Sequence, residues 1–198
     1  GIDARKADGL SPSETIERIA ARVRELGARH TRQWEREIRP ALADHGIRVV
    51  APEDCSPTEL ETLDRIFEEQ VFPVLTPLAV GPGRPFPYIS NLSLSLGVWL
   101  TDPVTHDELF ARVKVPKEIL PRLVEIGPRT FVPLETVIAR HLDALFPGME
   151  VRAHAAFRVV RDADFTVSDE ADDLVRAVET ELRRRRFGEV VLLEASAD

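Results

Sequence analysis

The chain is short of several things, and each shortage removes a class of function. It has one cysteine, Cys55, so neither a disulfide framework nor a cysteine-rich zinc site can form. Nothing near Cys55 marks an activated thiol, and it reads as inert. No apolar run approaches the ~20 residues that span a bilayer. No signal-peptide pattern opens the polar N-terminus, so a cytoplasmic protein with at most peripheral membrane association is expected. His30, His45, His106, His141 and His154 are scattered, without the paired spacing of a zinc site. There is no GxSxG elbow. The GPG at 81–83 lacks the spacing of a phosphate loop and reads as a turn. Lysine is scarce as well: Lys6, Lys114 and Lys117 are the whole set. The positive charge is therefore nearly all arginine, inside a chain of net charge −8. That balance argues against nucleic acid as a partner, since such binders gain affinity by neutralising phosphates.

What is present organises a fold. The 198 residues are 43 % hydrophobic, enough for one core plus a fragment of another domain. SPSE at 11–14 is a capping box with proline at the first helical position. Apolar residues then recur at helical spacing from Ile16 to Leu42, with Pro40 as a kink or break. The histidine on this stripe, His30, reads as a core or interface residue. Residues 47–50 suggest a short strand. A second capping box, SPTE at 56–59, opens a helix that Pro73 ends. Strands are predicted over 92–100, 110–115, 130–133, 151–161 and 189–194. Helices are predicted over 116–123, over 134–146, and over 169–186 with Ser168 as cap. These elements do not alternate as βαβ units. They predict an α+β fold with a mixed, largely antiparallel sheet and packed helices, preceded by a long helical segment.

Three charged groups are candidates for chemistry. The acids from Asp162 to Asp173 could hold a divalent cation, but those at the helix start serve the macrodipole. Arg183, Arg184, Arg185 and Arg186 could meet a polyanion or simply complement the end of their helix. Arg158 and Arg161 lie three apart on a strand and so face opposite sides, and one of them could face an anion. No complete active site emerges.

The sequence between these elements carries a further signal. VFPVLTPLAVGPGRPFPYISNLSLSL (71–96) closely resembles the segment that opens the head domain of bacterial polyphosphate kinases, which make polyphosphate from ATP. FRVVRDADF (157–165) and RRRRFGEVVLLE (183–194) resemble later parts of the same domain. Pro73, Pro77, Pro85, Phe86, Pro87 and Asn91 belong to this fingerprint and are expected to be structural. The resemblance implies that residues 1–45 are the end of the family's helical N-terminal domain and 46–198 its head domain. It implies that the phosphorylated histidine, the magnesium ligands and most of the ATP site lie in C-terminal domains outside this chain. No catalytic residue, metal ligand or cofactor is then expected here, ATP and magnesium belonging to the intact enzyme. The implied partners are the remaining kinase domains, a second copy in a homodimer, and polyphosphate passing beside the head. The implied role is a non-catalytic piece that serves dimerisation and shapes the polyphosphate tunnel. A stand-alone polyanion-binding or adaptor module on the same fold is the alternative.

Overall fold

A computed structural model describes residues 9–80, 86–162 and 188–196. The chain divides into two compact units, Gly1–Val49 with Arg129–Phe131, and Val50–Pro128 with Val132–Asp198.

In the first unit, helix α1 (Pro12–Gln33) begins at the expected box. Ser11 Oγ accepts the Glu14 N–H, and the Glu14 carboxylate accepts the Ser11 N–H at 2.8 Å. The proline break takes a specific form. Pro40 has no N–H to continue the ladder. Ahead of it the helix widens into a π-turn, Trp34–Ile38, closed by the Arg39 N–H on the Trp34 carbonyl, before α2 (Arg39–Asp44) resumes. Gly46, at φ +73°, ends α2 in the left-handed region that glycine adopts freely. Strand β1 (Arg48–Val49) then runs parallel to the start of β6 (Thr130–Pro133), with Arg48 opposite Thr130. No residue of α1 is buried.

The second unit repeats the first helix's design. Helix α3 (Pro57–Ile66) starts at a capping box from Ser56 and Glu59. It passes into a π-turn, Phe67–Val71, closed by the Phe72 N–H on the Phe67 carbonyl, immediately before Pro73. The sheet of this unit has five antiparallel strands in the order β2 (Pro77–Val80), β4 (Glu108–Lys114), β3 (Ser95–Thr101), β7 (Glu150–Arg161), β8 (Val190–Ala195). One sheet face carries Leu96, Val98, Ala111 and Val113 into a core shared with Leu63, Phe67 and Val71. Helix α4 (Leu134–Arg140) adds Val137 and Ile138 to it.

Several boundaries differ from the sequence reading. The strand expected from 92 begins at Ser95, because Leu92 sits in a turn at φ +58°. Pro77, expected only to extend the chain, opens β2 at the sheet edge, where a missing N–H costs no ladder bond. The helix expected over 116–123 is a single turn in which Ile119 and Leu120 bond back to the Pro116 carbonyl. Pro121 prevents a second turn. Strand β5 (Leu123–Gly127) follows instead, burying Val124 and Ile126. The helix expected over 134–146 breaks at His141 into α4 and α5 (Leu142–Leu145). The helix expected over 169–186, with its cap Ser168, lies outside the described residues.

Candidate functional site

Residues 86–91 of the proline-rich fingerprint lie over the sheet face opposite the core, as a strap. Two arginines fasten it there. Arg161 on β7 donates from Nε to the Ile89 carbonyl at 2.8 Å and from Nη1 to the Gly188 carbonyl at 2.7 Å. Its guanidinium lies 4.7 Å from the Tyr88 ring centroid. Its backbone N–H donates to Asn91 Oδ1 at 2.8 Å. Arg112 on β4 donates from Nε to Ser95 Oγ at 3.0 Å and from Nη1 to the Tyr88 carbonyl at 3.3 Å. It is buried, and burial lowers its pKa from the usual arginine value. An arginine has no accessible neutral form, so neutral oxygens must solvate a buried cation here.

Beside this strap runs an apolar groove of about 480 Å³, lined among the described residues by Phe86, Gly97, Trp99, Phe110, Phe157 and Leu193, with Arg161 at its margin. Gly97 makes the floor possible. A Cβ there would meet the Phe110 ring at 3.0 Å, so the missing side chain lets the ring lie across the strand. Phe86 stacks on Phe110 at 5.7 Å, and Trp99 meets it edge-on at 5.1 Å. Its described lining residues include no nucleophile, and its ring-lined wall suits an apolar surface rather than a phosphate.

The expected residues fall as follows. Arg161 lines the groove, while Arg158, of opposite parity on the strand, pairs with Glu194 across β7 and β8. That pair raises the arginine's pKa and lowers the glutamate's. Arg183, Arg184, Arg185 and Arg186 lie outside the described residues, as do Pro82 and Pro85. Pro73 follows the second π-turn, Phe86 and Pro87 line the groove, and Asn91 accepts the Arg161 N–H. Asp162 is described while the acids from Asp164 to Asp173 are not. Among the described residues no group of His, Cys, Asp and Glu is arranged to hold a metal.

Sequence reasoning missed two arrangements. Arg112 was visible only as a charge set among Phe110, Ala111 and Val113, an anomaly in an apolar strand. The other is a clamp between α3 and α4. His141 stacks on Phe67 at 4.0 Å, with Nε2 2.9 Å from Asp64 Oδ1 and Nδ1 2.8 Å from the Val137 carbonyl. Arg140 donates to the same carboxylate at 3.0 Å. The Arg140 hydrogen bond, with help from His141, holds Asp64 below the usual carboxylate range.

A family model described as the polyphosphate kinase middle domain matches residues 58–198. The chain belongs to the polyphosphate kinase family. The family's N-terminal domain matches residues 1–50. A polyphosphate kinase of Streptomyces coelicolor is 50 % identical over 195 residues, covering 98 % of this chain and 26 % of the relative. One from Mycolicibacterium gilvum is 46 % identical over 206 residues, covering 100 % of this chain and 28 % of the relative. The chain thus spans about a quarter of the length of these curated relatives. The crystal structure of polyphosphate kinase from Porphyromonas gingivalis aligns over 87 % of this chain and 29 % of its own, with a TM-score of 0.70 and 27 % identity.

Proposed function

We propose that this polyphosphate kinase segment is architectural: a remnant of the N-terminal domain over 1–45 followed by a head domain over 46–198. In the intact enzyme it would support reversible transfer of the ATP γ-phosphate to polyphosphate through a phosphohistidine, with magnesium, in the cytoplasm. Covalent transfer of this kind divides one difficult step into two. The observation that carries the reading is how the capable side chains among the described residues of the head are engaged. Arg161 and Arg112 hold carbonyls of the strap, Arg158 holds Glu194, and Asp64 holds Arg140 and His141. Each is tied to an internal partner rather than aimed together at a reacting atom.

The exposed surface supports assembly with a second copy. Among the described strands β8 is a sheet edge, and its Val190, Val191 and Leu193 are exposed. An apolar edge of this kind is a template for pairing with another chain. The reading expects light scattering to report a dimer of this chain, and no ADP release on incubation with ATP, magnesium and a polyphosphate primer. Polyphosphate synthesis by the chain alone would overturn it.

A further inference from the structure

Helix α1 and the π-turn after it concentrate positive charge in an otherwise acidic chain. Between Arg18 and Arg39 stand seven arginines against three glutamates. At about 100° per residue, Arg18, Arg22, Arg29, Arg32 and Arg36 fall within roughly a quarter-turn of one another. Their mean direction lies about 120° around the helix from that of Ile16, Ile19, Val23 and Leu26. The arginines differ in their partners. Arg22 pairs with Glu25 at 2.6 Å, Arg39 pairs with Glu35 at 3.2 Å, and Arg18 adds a smaller charge effect to the Ser11 hydrogen bonds that chiefly lower the Glu14 pKa. Arg29, Arg32 and Arg36 are exposed, and no hydrogen bond or ion pair holds them among the described residues. They instead line a polar depression of about 370 Å³ with Gln33 and Glu37.

From this geometry we infer that Arg29, Arg32 and Arg36 form a binding surface for a linear phosphate chain, here inorganic polyphosphate. Spacing by three and four residues spreads the three guanidinium groups along about 10 Å of helix, so they track an extended polyanion rather than close around a single phosphate. Guanidinium forks suit phosphate oxygens. The helix's amphipathicity keeps the surface available: its apolar face is the one that seeks a neighbour, and burying that face leaves the basic face turned outward. The choice of polyphosphate rests on the proposed role in a polyphosphate kinase. The glutamates interspersed on the polar face disfavour a flat anionic membrane, which would meet them along with the arginines.

The test is fluorescence anisotropy of end-labelled polyphosphate titrated with this chain at several salt concentrations. A triple variant, Arg29→Gln with Arg32→Gln and Arg36→Gln, is compared with a control that removes equal charge elsewhere, Arg24→Gln with Arg65→Gln and Arg152→Gln. Glutamine keeps helix propensity nearly unchanged, and circular dichroism checks that both variants fold. The first variant is expected to bind at least tenfold more weakly, with the salt slope reduced by about 2 for three lost phosphate contacts. The control is expected to stay within about twofold. Equal losses in both variants, no loss in the first, or tighter binding to single-stranded DNA or anionic vesicles than to polyphosphate would overturn the site. Binding that survives the first variant rejects this surface and leaves the architectural reading standing. ATP turnover by the chain would reject that reading and leave the surface standing.

Discussion

At the residue scale, Arg161 does more than any other described side chain of the head. It joins three pieces of chain at once: its own strand, the strap at Ile89 and the return at Gly188. Replacing it with methionine keeps the apolar stem but leaves two carbonyls without a donor. Hydrogen bonds from charged donors contribute about 1.5–3 kcal/mol, so Arg161→Met should lower stability by about that much in urea unfolding, while Arg161→Lys recovers only part of it. Asp64 gives a second measurable effect. Its pKa is depressed in the folded state by Arg140 first and His141 second. The stability it contributes is therefore present above the unfolded carboxylate value, about 3.9, and is lost as pH falls through the lower folded value. Asp64→Asn should remove that acid-side dependence from a pH series of urea midpoints. Near pH 7 it should cost no more than about 1 kcal/mol, since the carboxylate is partly exposed.

At the scale of elements, prolines and caps explain what the sequence could and could not disclose. Both capping boxes were readable because all their atoms lie within four residues of one another. Ser56→Ala should cost about 1 kcal/mol in thermal or urea unfolding of the head. The prolines at 40 and 73 were readable as interruptions, but the π-turns ahead of them were not. The sequence marks the lost N–H, whereas the choice between a kink and a widened turn depends on what the neighbouring side chains pack against. Phe67 and Val71, at the two ends of the second π-turn, are both buried. The strands β2 and β5 were missed for a related reason. Pro77 and Pro121 are local signals against regular structure, while the pairing of Leu78 with Arg112 and the burial of Val124 come from distant residues. The apolar groove was hidden in the same way. Its wall combines Phe86, Trp99, Phe110, Phe157 and Leu193, side chains that share a face only through the register of four strands. The arginines of α1 were each visible, but their common face depends on a helix running through to Gln33.

For the whole molecule, the sequence resemblance carried further than any local pattern. It covered the chain in order and agrees with the family matches over residues 1–50 and 58–198. Assembly is the property that belongs to this scale. If β8 mediates self-association, Val191→Lys combined with Leu193→Lys should shift light scattering from dimer to monomer without loss of sheet signal in circular dichroism, because both side chains are exposed in the single chain. An unchanged mass would place the contact elsewhere. The Arg161 latch also has a consequence in time. Its bonds join residues 72 and 27 positions apart, so it can close only after the strap and the β7–β8 return have both arrived. Interactions that form late are absent from the folding transition state, and losing them speeds unfolding more than it slows folding. In stopped-flow measurements the Arg161 variants should steepen the escape from the native state and leave the refolding limb nearly where it was. The latch then sets how long the head stays folded rather than how quickly it forms.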